Sequence, residues 1–431
     1  MKIARILKLT IPMLLGGILL LAVADAGATT VVAAKPRPTR TPVPTVPPRP
    51  TPIPTPQPGP VCWNVVAVPS IPGYETQLTS VSGSGPNDVW AVGYSTTLIP
   101  GGNGVDGSRH TLTLHWNGTS WSVVPSPDPL AAAANVVNQL NSVIAIAPND
   151  AWAVGYSVSG SNPYQTLTMH WNGSIWQVVP SPNLAPPNGY NALNAVSAVA
   201  SNDVWAVGGV PGGIGVNGRA ILMHWNGATW TLTPEPPETV YWSSTTRTGV
   251  TAVAANDVWA VGQFSAFRWN GSVWAVAAGF SGQNLAAVDH SSATNVWSVG
   301  TNPPSGGGSE GGGSQGRANA QRFDGATWTN TNPALVGTSN DTGFYGVTAI
   351  SPSNVWAVGR LNRFTLTQQW DGSAWRVVGS ANGNSNPDPN SVIGNILLGV
   401  HANSATDIWT VGYFYNANNN PQALIERYVC Q

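Results

Sequence analysis

One tryptophan phrase, written seven times, constrains this chain more than any other feature. NDVWAVG stands at 87–93. It returns as NDAWAVG (149–155), NDVWAVG (202–208 and 256–262), TNVWSVG (294–300), SNVWAVG (353–359) and TDIWTVG (406–412). The Asx of each phrase is Asp88, Asp150, Asp203, Asp257, Asn295, Asn354 or Asp407. Seven residues upstream of it there is always a Val preceded by a small residue: Ser80-Val81, Ser142-Val143, Ala195-Val196, Gly249-Val250, Ala287-Val288, Gly346-Val347 and Gly399-Val400.

A second phrase follows after a variable stretch. It reads HWNGTSW (115–121), HWNGSIW (170–176), HWNGATW (224–230), RWNGSVW (268–274), RFDGATW (322–328) and QWDGSAW (369–375). Each unit thus reads as four strands. The small-Val pair marks the first and V-W-A-V-G the second. The third ends at His-Trp or its equivalent, and the fourth is W-x-V-V. Asn-Gly and Asp-Gly signal a two-residue hairpin in which both residues accept positive φ. Val, Trp and Thr at alternating positions fit half-buried strands. Units of roughly 40–60 residues, each a four-stranded antiparallel sheet, predict an all-β fold, a seven-bladed β-propeller.

The seventh unit ends ALIERYVCQ, with no fourth strand, while VCWNVVAVP (61–69) matches TSWSVVPSP (119–127) with no unit before it. The N-terminal strand is therefore expected to complete the last blade. That alignment sets Cys430 on the turn position of Gly118 and Cys62 on that of Ser120, within disulfide reach. They are the only two Cys of the chain, so a Cys62–Cys430 bond is expected.

The N-terminus reads as an export signal. Lys2, Arg5 and Lys8 precede an apolar run, Leu9 to Val23, and Ala24-Asp25-Ala26 offers a cleavage site. The expected organisation is a signal peptide at 1–26, a Pro/Thr-rich linker or stalk at 27–60 and the propeller at 61–431. The segment from 35 to 60 nearly alternates Pro and Thr, which suits a solvated polyproline-II spacer with sites for O-linked sugar. A membrane is a partner only if the signal segment stays uncleaved. Only 8% of residues are charged and the net charge is −1, against the basic excess that nucleic acid requires.

Nineteen of the twenty Trp fall on repeat positions, and only Trp242 lies outside. A packing group is needed in every blade, whereas a catalytic group is needed once. Trp90, Trp152, Trp205, Trp259, Trp297, Trp356 and Trp409 are therefore read as core. The Asx is read as a turn former bonding its own backbone, and the phrase Gly as the point where the chain leaves the sheet. His115, His170 and His224, interchanged with Arg and Gln in other units, are read as solvent-facing.

The pair NDVWAVG…HWNGTSW resembles the tandem units of secreted bacterial β-propellers. Its second phrase is similar to the Asp-box hairpin of sialidase-type propellers, Asp-x-Gly-x-Thr-Trp, although the Asx-to-Trp spacing here is one residue shorter. The likeness covers 61–431. Such boxes are structural in those families, so the resemblance implies a fold and not an activity.

Function is expected on the face carrying the irregular loops, those joining strands two to three and unit to unit. Aromatics in or bordering those loops are Tyr94, Tyr156, Tyr164, Tyr190, Tyr241, Trp242 and Tyr413, suited as exposed rings to sugar or protein. Arg109, Arg219, Arg247, Arg317, Arg360 and Arg363 are scattered over the same loops. Asp289 and His290 interrupt the inner strand of the fifth unit, and His401 that of the seventh, which makes them candidates for a metal in an axial channel. No cofactor and no catalytic residue is assigned. The favoured reading is a monomeric, non-catalytic extracellular binding or adhesion module for cell-surface glycan or protein. A glycoside hydrolase or polysaccharide lyase, and a structural envelope protein, are the alternatives.

Overall fold

A computed structural model describes residues 62–98, 105–130, 136–160, 162–184, 189–210, 218–236, 246–302, 316–336, 341–383 and 394–430. Every regular element among them is a β-strand, and the sheets are antiparallel within each repeat. The third unit is typical. Ala192–Ala200 pairs with Asp203–Val210, that strand with Arg219–Trp225, and that in turn with Trp230–Leu232. Units three, six and seven form separate four-stranded sheets. Units four and five are joined because one long strand, Trp274–Ser292, serves both. Units one and two are bridged at Arg109 and Val137.

The seventh unit borrows its outer strand. Trp63–Val65 pairs with Pro421–Tyr428 in the register Trp63 to Tyr428, the register of Trp121 to Trp116 in the first unit. The Val429 amide donates to the Cys62 carbonyl at 3.0 Å. Cys62 and Cys430 form a disulfide with Cα atoms 5.1 Å apart.

The seven phrase tryptophans are all at most 2% exposed. Each packs between its own unit and the aromatic pair of the next. Trp90 meets Trp171 and Trp176 at 4.9 and 5.1 Å between centroids. Trp356 meets Tyr428 and Trp63 at 4.8 and 5.7 Å. Trp409 of the last unit meets Trp116 and Trp121 of the first at 5.0 and 5.3 Å. Contacts of this kind add about 0.5–1.5 kcal/mol each beyond the area they bury.

Five local readings need correction. The Asx side chain is no mere turn former, and the third-strand His is only partly exposed and paired: His115 Nε2 lies 2.7 Å from Asp88 Oδ1, with the imidazole tilted over Trp90 at 4.4 Å. Units two and three repeat the contact as His170–Asp150 and His224–Asp203. Arg268–Asp257, Arg427–Asp407, Arg322–Asn295 and Gln369–Asn354 do so with other donors. The Asn-Gly hairpin has only its Gly at positive φ, +95° at Gly118. Trp116 pairs with Trp121, so the loop has four residues, and Asn117 Oδ1 accepts from the amides of Thr119 and Ser120. The phrase Gly stays inside the sheet. A Cβ on Gly93 would come 2.0 Å from the Gln77 carbonyl oxygen, because the first strand bulges against it there. Arg247 is no loop residue but is fully buried, in the core position that Leu78 holds in the first unit.

Candidate functional site

The bulge builds the site. Each first strand shifts register twice, and the earlier shift falls between Leu78 and Ser80 in unit one, Leu140 and Ser142 in unit two, and so on through Leu397 and Gly399. A bulge re-aims the extra side chain. Here the extra residues are Thr79, Asn141, Asn194, Thr248, Ala286, Tyr345 and Leu398. All seven line one cavity of about 220 Å³, walled by first-strand residues of every unit.

Tyrosines recur from unit to unit on the side of the bulges. Tyr345 is itself a lining residue. Tyr94, Tyr156 and Tyr413 directly follow the phrase Gly on their second strands, where other units carry Gly209, Gln263, Thr301 and Arg360. Tyr156 stacks on Tyr164 at 5.1 Å with planes 29° apart, and Tyr164 meets Tyr190 at 4.6 Å. Tyr413 lies 5.9 Å from Tyr415. The Tyr413 hydroxyl is pushed up to about 12 by burial and then by Tyr415, Tyr94 and Tyr345. Burial likewise raises Tyr94, Tyr156 and Tyr345. Tyr345, Tyr413, Tyr415, Tyr94, Tyr156, Tyr164 and Tyr190 thus form one arc.

Polar partners set the rings. Arg109 stands 4.4 Å over the Tyr94 ring and donates to Gln139 Oε1 at 2.5 Å, which also accepts from the Tyr156 hydroxyl at 3.1 Å. Tyr94 is only 8% exposed for this reason, so the expectation of an exposed ring fails there. Tyr190, at 55%, is the open end of the arc. At the other end Arg360 bonds Asp341 at 3.1 Å beside Tyr345. Tyr241 and Trp242 lie outside the described residues. Tyr345, Tyr415 and Gln139 were missed by the sequence reading. A signal for Tyr345 existed: it breaks the run of Thr, Asn, Ala and Leu two positions before the repeat Val.

The axial candidates each have a separate hydrogen-bond partner, although His290 Nδ1 also lies 3.9 Å from Asp289 Oδ1. Asp289 Oδ2 accepts the Ala349 amide of unit six at 2.9 Å, and burial raises its pKa. His290 Nδ1 is 2.7 Å from Thr251 Oγ1 of unit four. His401, with its pKa lowered by burial, contacts Asn403 at 3.3 Å. Among the described residues no group of three His, Cys, Asp or Glu could hold a metal ion.

One constellation imitates a catalytic triad. His110 Nδ1 lies 2.8 Å from Asp128 Oδ2 and its Nε2 is 3.4 Å from Thr97 Oγ1. The repeat explains it. Asp128 Oδ1 accepts the Thr111 amide, as Asn183 accepts that of Thr166, Asn382 that of Thr365 and Glu235 that of Ala220. Asp128 is therefore a tether for the loop behind the fourth strand, and His110 buttresses it as Gln165 and Arg219 do in their units.

No protein-family model and no curated protein matches the chain. Three solved structures are similar to it at low identity. YCF48 from Cyanidioschyzon merolae is 14% identical, with a TM-score of 0.49, over 85% of this chain and 98% of its own. A protein of unknown function from Dyadobacter fermentans is 10% identical, with a TM-score of 0.49, over 84% and 97%. The α-L-arabinofuranosidase Arb93A from Fusarium graminearum is 7% identical, with a TM-score of 0.49, over 84% and 96%.

Proposed function

We propose that the seven units close into a seven-bladed β-propeller of the secreted bacterial repeat type, and that it is a non-catalytic extracellular binding module. Three observations support closure: the tryptophan contacts run from each unit to the next and from the last to the first, the borrowed strand completes unit seven, and one cavity touches all seven first strands. Export follows from the signal-like residues 1–26, with 27–60 as a stalk. The disulfide agrees with an oxidising compartment. No helix among the described residues is long and apolar enough to cross a membrane.

The tyrosine arc carries the binding reading. Tyr presents a flat apolar face and a polar tip at low entropic cost, and the stacked run Tyr156–Tyr164–Tyr190 ends in an open ring. The ligand is a cell-surface glycan or protein, bound by a monomer. The arc and the disulfide sit at opposite ends of the last unit's strands. Tyr413 is six residues along the strand from Asp407, about 20 Å at ~3.3 Å per residue. Cys62, the first described residue, thus lies at the end remote from the arc.

A glycan array and a surface-protein pull-down with the exported protein and its Tyr190→Ala and Tyr164→Ala variants test this. Loss of binding in the variants without loss of folding is expected. Turnover of any bound glycan would replace the reading with a glycoside hydrolase or lyase, and unaltered binding in both variants would move the site off the arc.

A further inference from the structure

The seven bulge residues divide the mouth of the axial cavity into two halves. Units one to four supply Thr79, Asn141, Asn194 and Thr248, whereas units five to seven supply Ala286, Tyr345 and Leu398. Each polar residue has already committed one donor to the backbone of the next unit. Thr79 donates to the Leu140 carbonyl at 2.9 Å, Asn141 to Leu193 at 2.7 Å, Asn194 to Arg247 at 2.8 Å and Thr248 to Leu285 at 2.6 Å. A hydroxyl or amide oxygen keeps acceptor capacity after its donor is used. The mouth therefore presents acceptors and the second N–H of each Asn on one side and the side chains of Ala286, Tyr345 and Leu398 on the other, while Asp289, Thr348 and His401 also line the cavity.

That arrangement selects a ligand rich in hydroxyl donors with one flat apolar face. An anion meets the Asp289 carboxyl, which also lines the cavity. A cation meets Arg360, which flanks Tyr345. Size narrows the choice further: about 220 Å³ falls below the roughly 300–1,000 Å³ of sites for drug-sized ligands, so the cavity suits a single ring.

We infer that the axial mouth holds the terminal pyranose of a neutral oligosaccharide, with the following sugars laid on the tyrosine arc. Tyr345 and Leu398 face the apolar side of the terminal ring, and the oxygens of Thr79, Asn194 and Thr248 accept its hydroxyls. This rests on the arc being a binding face and adds the ligand's class and its anchoring end.

Calorimetric titration of the exported full chain with neutral hexasaccharides (β-1,4-glucose, mannose, xylose and galactose series), a galacturonate hexamer and a glucosamine hexamer tests it. A neutral hexasaccharide is expected to bind and the matching monosaccharide to compete. Ala286→Phe, which fills the mouth, is expected to weaken binding at least tenfold. If that variant misfolds, the monosaccharide competition still decides. Unchanged affinity in folded Ala286→Phe, with loss in Tyr190→Ala, would overturn the axial anchor while leaving the arc in place. Preference for either charged hexamer would overturn the neutral class. Failure of every sugar would overturn the inference and leave the protein-ligand arm of the arc to the pull-down.

Discussion

Glu426 occupies in the last unit the place that Gln368 occupies in the sixth. Both are third-strand residues one before the Asx partner, Arg427 or Gln369, and both are at most 1% exposed. Gln368 grips the backbone of Ala334, accepting from its amide at 2.9 Å and donating to its carbonyl at 3.0 Å. Glu426 faces the amide of Ala381, the same position one unit on, and burial raises its pKa well above the usual carboxylate range. Only a protonated carboxyl can reproduce the two-way grip. Unfolding releases that proton above the unfolded pKa of about 4.3. Stability should therefore fall as pH rises from there toward the folded value. Glu426→Gln should match wild type near pH 4 and gain on the order of 1–3 kcal/mol by pH 8. Urea unfolding across that range checks this, and a pH-independent difference would refute it.

The Cys62–Cys430 bond spans 368 residues of sequence, and a loop of that length is worth about 6 kcal/mol in the chain-entropy model. Cys62→Ser with Cys430→Ser should lower stability by up to that amount. Hydrogen exchange should first speed up at Val66, whose amide donates to the Ile425 carbonyl across the borrowed strand. Uniform loss of protection in all units would contradict the local role.

Arg247 is the one ionisable residue in a ring of core positions otherwise filled by Leu78, Leu140, Leu193, Leu285, Phe344 and Leu397. Its guanidinium bonds Ser265 Oγ at 2.9 Å and lies 4.2 Å from the Phe267 ring, and burial lowers its pKa to about 9. Replacing a buried charge by an apolar residue is often neutral or stabilising by about 1–4 kcal/mol. Arg247→Leu should therefore melt at or above the wild-type temperature, measured by differential scanning calorimetry at pH 7.

The tyrosine arc should show itself in alkali. The Tyr413 pKa lies near 12, against about 10 in the unfolded chain. A raised folded pKa means stability that is full below pH 10 and lost as pH climbs toward 12. Absorbance titration at 295 nm should place a group of tyrosines in that late phase, and Tyr413→Phe should remove one of them.

The four-strand unit, the borrowed strand and the disulfide were legible because repetition gives internal controls: a missing fourth strand in ALIERYVCQ is visible only against six complete copies. Tyr94, Tyr156 and Tyr413 were legible as candidates because each borders one of the irregular loops. The mouth of the cavity was not. Thr79, Asn194 and Tyr345 look like unpatterned neighbours of the small-Val pair, since a register shift between two strands leaves no mark in either strand's own alternation. The His115–Asp88 partnership was hidden for a similar reason. The two residues belong to different strands, and the interchange of His, Arg and Gln resembled surface drift until their shared acceptor was seen.

The disulfide also has a mechanical meaning. A pull from the N-terminal side enters the described fold at Cys62, one residue before a three-residue strand that would otherwise peel away one hydrogen bond at a time. The bond also passes the load to Cys430, so the short strand no longer bears it alone. Unit seven would then yield only when its longer strands and its tryptophan contacts with the neighbouring units give way together.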